Sequence, residues 1–266
     1  MKIAFQDTKI EYGELDKIAS ALDSIGVEPI SFGVIPFTND ITNCENWTEP
    51  TIMMGSTKIA KLGINGMLPK YGVIFYNATA FDQAYYHKFL GKKLLNHNAL
   101  FYRYGKIKDR YIEHTIFIKP SSDLKYFAGA VLGPTNNTIS AELEKDRLID
   151  SDLTDDIKVL INMGIIDDIC FEYRAFIVDG AIIDCCQYME YGRVTPEILL
   201  NDRRAPLYLF IRKIQERYRP HDHYVIDIAE LSDGSYKVIE YNCLNCSGMY
   251  ANDRAAIYNA LIKLDI

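Results

Sequence analysis

The chain has 266 residues, 48% of them hydrophobic and 24% charged, a balance that suits a soluble globular protein with a sizeable core and two or three subdomains. A formal net charge of −7 argues against a general nucleic-acid or membrane-surface binder. No run of about eighteen apolar residues occurs, and Met1-Lys2-Ile3-Ala4-Phe5-Gln6-Asp7 turns polar too early for a signal peptide, so a cytoplasmic location without a membrane partner is expected.

Residues 2–5 read as a first strand. Residues 13–25 set Leu15, Ile18, Ala19 and Leu22 at helical spacing before Gly26, and residues 27–32 read as a second strand. Residues 51–54 predict another strand, closed by Gly55, Ser56 and Thr57, with a helix beginning over 58–62. This is βαβ organisation. Gly55-Ser56-Thr57-Lys58 lacks the upstream glycine and the Gly-Lys-Ser/Thr order of a phosphate-binding P-loop, and reads as a strand-to-helix turn. Residues 80–95 predict a helix interrupted at Gly91, with Tyr85, Tyr86 and Phe89 as core. Asn96-His97-Asn98 and the basic run Arg103, Lys106, Lys108, Arg110 break the periodicity. The expected division is an α/β domain over 1–105 and a more antiparallel domain over 106–266.

In the second domain, residues 115–119 predict a strand, halted by Pro120-Ser121-Ser122-Asp123 and resumed over 125–131. Lys119 and Lys125 flank the turn, either as a clamp for a polyphosphate or as two solvated lysines. Residues 138–160 are acidic and helix-compatible in parts. Residues 171–178 and 181–186 form a hairpin about Asp179-Gly180. Period two puts Glu172, Arg174 and Phe176 on one face, and an arginine inside so apolar a strand needs either a partner, for which Glu172 is placed, or an anionic ligand. His221-Asp222-His223 reads as a solvated loop. Cys243 and Cys246 form a lone CxxC, weak evidence for zinc, and the scattered cysteines are expected to be reduced.

The richest stretch is the last hairpin, in which residues 224–230 and 237–242 flank Ser232-Asp233-Gly234-Ser235. A turn centred on Asp233 and Gly234 sets Asp227 opposite Glu240, and strand alternation brings Asn242 to the same side. Facing carboxylates destabilise a hairpin unless a cation joins them, and an all-oxygen donor set suits Mg²⁺ or Mn²⁺. A solvated acidic edge is the other reading.

The ordered set Phe117-Ile118-Lys119-Pro120, Lys125 with Phe127 and Gly129, Glu172-Tyr173-Arg174, Asp227, and Glu240-Tyr241-Asn242 followed by Ser247-Gly248-Met249-Tyr250 resembles the ATP-grasp superfamily, and within it the small stand-alone proteins common in phages and bacteria. The resemblance covers roughly residues 50–262. It implies an α/β plus α+β architecture: a Rossmann-like pre-ATP-grasp region and two α+β subdomains that clamp ATP. It implies an enzyme, an ADP-forming carboxylate-amine or carboxylate-thiol ligase acting through an acyl phosphate, whose partners are ATP, a small carboxylate and an acceptor such as an amino acid or peptide. By that resemblance Lys119, Lys125 and Glu172 serve the nucleotide, Asp227, Glu240 and Asn242 hold Mg²⁺ or Mn²⁺, and Arg174 stabilises charge on the transferring phosphoryl group. Residues 159–165 take the place of the adenine hinge. The loops around Arg193 and Ser247-Gly248 are expected to read the substrates. A catalytically silent ATP/Mg²⁺-binding module in a viral or host-interaction assembly is the alternative, and a metal-dependent phosphohydrolase a third reading.

Overall fold

A computed structural model describes residues 1–7, 14–35, 38–146, 149–164 and 168–265. Its first part comprises β1 (Lys2–Gln6), α1 (Glu14–Asp23), β2 (Ile30–Val34), β3 (Ile41–Thr42), β4 (Thr51–Met54), α2 (Thr57–Ile64) and β5 (Gly72–Val73). These strands form a sheet of order β3-β2-β1-β4-β5, parallel except for β3. Both faces of β1 and β4 are buried, as in parallel strands covered on two sides. Ile3, Phe5, Ile52 and Met54 pack one way and Ala4 and Met53 the other.

Next come α3 (Gln83–Leu90), β6 (Leu100–Arg103), β7 (Tyr111–Ile112), β8 (Ile116–Pro120), β9 (Ala130–Leu132), β10 (Thr135–Thr138), α4 (Ile139–Asp146) and β11 (Lys158–Asn162). An antiparallel sheet of order β6-β11-β8-β9 packs Ile116, Ile118 and Val159 against Ile139 and Leu143 of α4. Its other face carries Lys119, directly paired with Leu160.

The last part comprises β12 (Ile169–Val178), β13 (Ala181–Glu190), β14 (Arg193–Ile198), α5 (Asn201–Gln215), β15 (Tyr224–Leu231), β16 (Tyr236–Asn242) and α6 (Arg254–Ile262), with the antiparallel order β14-β13-β12-β15-β16. Alternation divides β12 cleanly. Tyr173, Ala175 and Ile177 join Leu207, Ile211 and Ile214 of α5, whereas Phe176 and Val178 join Ile257 and Leu261 of α6 together with Ile3 and Ile52 of the parallel sheet. Glu172 and Arg174 continue that second face beyond its apolar half. A parallel sheet joined to two antiparallel ones is the α/β plus α+β architecture the sequence predicts.

Local differences have local causes. The second strand lies at Ile30–Val34, later than predicted, and the first helix is seen as Glu14–Asp23, Gly13 lying outside the described residues. The helix predicted over 80–95 is shorter: Asp82 caps it through Ala84 N–H, and Gly91, at φ 48°, ends it. The acidic span 138–160 holds α4 but ends in a strand, β11. No strand resumes at Lys125. Its backbone is left-handed at φ 52°, and the neighbouring Tyr126 carbonyl accepts from Asp150 N–H at 2.8 Å, so pairing with β8 is delayed until Ala130. Gly129 sits where a Cβ would lie 3.2 Å from the Phe117 ring, an approach close enough that a larger residue would have to push that ring aside by a few tenths of an ångström. Gly55-Ser56-Thr57-Lys58 is the turn from β4 into α2.

Candidate active site

The geometry begins with two offsetting irregularities in the last hairpin. The loop has three residues, Ser232 to Gly234, and Gly234 adopts φ 77°; Leu231 N–H donates to Ser235 O at 2.9 Å and Gly234 N–H to Leu231 O at 2.8 Å. That loop pairs Ile228 with Val238, one residue out of the predicted register. A bulge at Ile239 then restores it, so Asp227 pairs with Glu240 and Val225 with Asn242. The bulge also inverts the alternation. Val238 and Tyr241 lie in the α5 core, whereas Glu240 and Asn242 share the face of Asp227.

On that face Arg174, directly paired with Asp227, donates from Nε to Oδ1 at 2.8 Å and from Nη2 to Oδ2 at 2.7 Å, a bidentate pair buried at both ends. Asp227, not Glu172, is therefore the arginine's protein partner. Asn242 Nδ2 donates to Asp227 Oδ2 at 3.0 Å, and Arg174 Nη1 to Gly248 O at 3.1 Å. Burial works against the charge on Arg174, but Asp227 outweighs it and pushes the pKa further up. Glu172 lies beside this cluster and accepts from the Tyr188 hydroxyl. Burial raises its pKa against that hydrogen bond, and the charges of Asp227 and Glu240 raise it further.

The fourth carboxylate partner arrives from the other antiparallel sheet. Lys119 Nζ on β8 donates to Glu240 Oε2 across the space between the sheets. Burial would raise the Glu240 carboxyl, but Lys119, with Lys125 and Arg174 behind it, holds it down at about 2. Lys125 is exposed and acts on Glu240 through its charge. The structure thus brings all seven candidate residues into one neighbourhood, with Arg174, Asp227 and Asn242 as a buried cluster and Lys119 and Glu240 as a half-buried pair.

Among the described residues no cluster of three His, Cys, Asp or Glu side chains gathers in a metal-holding arrangement, and the third predicted donor, Asn242, falls outside those residue types. The donor chemistry nevertheless fits a hard cation. Asn242 is 3% exposed, and its Oδ1 has no hydrogen-bond partner among the described residues, a costly state that a ligand would relieve. Asp227 Oδ1 and Glu240 each retain lone pairs beyond those their cationic partners occupy.

A cleft of about 630 Å³ opens between the parallel sheet and the segment after β16; none of the seven candidate residues lines it, and it meets the cluster through Gly248 and Tyr250, which touch Arg174. Gln6, Met54, Ser56, Asn245, Ser247, Gly248 and Tyr250 are among its walls; Pro196 lines it, whereas Arg193 does not. Asn245 rivets the segment to the parallel sheet: its Oδ1 accepts from Phe75 N–H at 2.8 Å, its Nδ2 donates to Met53 O at 2.8 Å, and its carbonyl accepts from Gly55 N–H at 2.8 Å. Cys243 and Cys246 are free thiols on this seam.

A family profile described as the ATP-grasp domain, R2K clade family 2, matches residues 95–260, a span that contains every residue of the cluster. The chain belongs to that ATP-grasp family. No curated protein sequence matches it. Among solved structures it is similar to a RimK domain ATP-grasp protein from Sphaerobacter thermophilus, at 14% identity and TM-score 0.58, over 98% of this chain and 100% of that one. It is also similar to the D-alanine–D-alanine ligase of Bacillus anthracis, at 13% identity and TM-score 0.57, over 99% and 96%. D-cycloserine synthetase DcsG is a third, at 12% identity and TM-score 0.53, over 98% of each chain. At such identities these likenesses speak to the fold.

Within this ATP-grasp fold, sequence reasoning misses Asp123, Tyr188 and Asn245. Asp123 is buried, accepts from Cys243 N–H at 2.7 Å, and so ties the lysine loop to the backbone beside Asn242. Burial lifts its carboxyl to about 6, against the lowering effect of that N–H. Its position at the end of Pro120-Ser121-Ser122-Asp123 carries a turn signal but nothing of its distant partner.

Proposed function

We propose that the chain is an ATP-dependent, ADP-forming ligase that joins a carboxylate to an amine or thiol. The observation that carries this reading is the meeting of Lys119 with Glu240 across two sheets, beside a bidentate Arg174–Asp227 pair and the orphaned Asn242 Oδ1. Cations from one sheet and oxygen donors from the other, next to an open cleft, suit a nucleotide triphosphate whose transfer depends on positioning and electrostatics. The ligase names of the similar structures support the same class.

In this reading a carboxylate oxygen of the substrate attacks the γ-phosphorus of ATP, the bond to the β,γ-bridging oxygen breaks, and ADP leaves. The acceptor nitrogen or sulfur then attacks the acyl carbon, the carbon–oxygen bond to phosphate breaks, and the acceptor proton passes to solvent. Asp227, Glu240 and Asn242 would hold Mg²⁺, which when bound supplies charge neutralisation on the phosphates. Lys119 and the exposed Lys125 meet phosphate oxygens. Arg174, fixed by Asp227, lends positive charge to the transferring group, and Glu172 orients the nucleotide. The cleft beside Ser247 and Gly248 receives the carboxylate and its acceptor.

The test is ADP release from ATP and Mg²⁺ in the presence of pooled amino acids and small carboxylates. Acceptor-stimulated release that disappears in Glu240→Gln is expected. Nucleotide binding without stimulated turnover would sink the ligase reading in favour of an ATP-binding module.

A further inference from the structure

Tyr250 breaks a local rule of backbone chemistry. Met249 to Asn252 form a tight turn in which Asn252 N–H donates to Met249 O at 2.9 Å, and Tyr250, first of the two central residues, has φ 48°. Turns with positive φ at that position favour glycine or asparagine, and a bulky aromatic there is strained. Asp179 and Tyr191 also have positive φ, but each opens a two-residue hairpin followed by a glycine. Tyr250 belongs to no hairpin. Its turn is fastened by buried Asn252, whose Nδ2 lies within hydrogen-bond distance of Met249 O at 3.0 Å and Arg174 O at 3.3 Å.

The strain puts the ring in a particular place. Tyr250 stacks on Tyr188 with centroids 5.0 Å apart and planes 18° apart, and lies 5.1 Å from the Arg174 guanidinium carbon. Tyr250 is 37% exposed and lines the cleft, whereas Arg174 is 6% exposed and does not. The cleft wall made by Gly248 and Tyr250 is therefore a single layer over the guanidinium. Strained non-glycine backbone of this kind clusters at active sites, ligand clamps and switch regions.

We propose that Tyr250 is a gate between the cleft and Arg174, shut in this structure and displaced when an anionic group, a carboxylate or phosphate, enters from the cleft. It is a positioning residue that admits the anion to the guanidinium and otherwise keeps water from it. The proposal rests on the ligase reading for the anion's identity, and its test does not need that reading to be correct.

The experiment is phenylglyoxal modification of the full chain, with Arg174 followed by peptide mass mapping, in wild type, Tyr250→Phe, Tyr250→Ala and Tyr250→Gly. Glycine suits the turn, so that variant folds without the strain, and alanine removes the ring alone. Arg174 is expected to be modified at least tenfold faster in the alanine and glycine variants, with Tyr250→Phe within twofold of wild type. Inorganic phosphate as the probe anion should protect Arg174 in those two variants at a concentration at least fivefold lower than in wild type. Unchanged modification in Tyr250→Gly would overturn the proposal, because the ring would not be what covers the guanidinium. Faster modification with an unchanged phosphate requirement would also overturn it, leaving a cover with no role in admission. Failure of the ligase reading shows elsewhere, as absent acceptor-stimulated ADP release with the labelling contrast intact.

Discussion

The two halves of the site are built in opposite ways. Arg174, Asp227 and Asn242 sit on adjacent strands of one sheet, are buried, and hydrogen-bond through Asp227 at 2.7 to 3.0 Å. Lys119 and Lys125 belong to another sheet and its loop; the half-buried Lys119 reaches Glu240 across a space, and the exposed Lys125 acts on it through charge alone. The first half is preorganised by cross-strand pairing and cannot rearrange without leaving a buried charge unpaired. The second can part from its partner and solvate, so it is the half able to open for a nucleotide. Asp123 joins the two, holding the lysine loop to Cys243 N–H beside the end of β16.

The harshest way to break this contrast is Arg174→Met. It strands Asp227 inside the sheet and should cost about 3–5 kcal/mol, with Arg174→Met/Asp227→Leu recovering much of it. No recovery in the double variant would mean that shape and not charge dominates the cluster.

What is legible in the sequence follows the same division. Contacts set by strand pairing can be deduced from a turn and a period of two, which is why Asp227 opposite Glu240 follows from the residue order alone. Yet that deduction assumes a two-residue turn, and the agreement depends on a three-residue loop and a bulge that cancel. Bulges leave no firm signal in one sequence, because the extra residue is here an ordinary isoleucine. Arg174 needs a partner on sequence grounds, but Glu172, two residues along its own strand, is the nearest acid in sequence, whereas Asp227 is nearest across the ladder. Lys125 looks like part of a strand because nothing in residues 125–131 signals a left-handed backbone. His221 and His223 look solvated, but pack on Phe75 at 5.8 and 4.4 Å, a contact from a distant part of the chain. Asn245 and Asp123 are invisible for the same reason: their roles consist of hydrogen bonds to residues more than a hundred positions away.

The mildest test addresses the open half. Lys119→Met removes one ammonium and leaves Glu240 facing the more distant charges of Lys125 and Arg174. In wild type the Glu240 carboxyl is held at about 2, below its ordinary 4.5, so its contribution to stability is fully present above about pH 4.5 and is lost as pH falls towards 2. The variant gives up most of that contribution, so wild type and Lys119→Met should differ by about 1–2 kcal/mol at pH 7, typical of a partly buried charge-assisted pair. The gap should close between pH 4.5 and 2. ATP affinity should fall about tenfold in the same variant, which corresponds to about 1.4 kcal/mol. A stability gap of equal size at pH 2.5 and pH 7 would show that the lysine stem, not its charge, supports the fold. An unaltered ATP affinity would leave the pair a structural bridge between sheets, because a lysine that merely fastens Glu240 has no phosphate to release when it is removed.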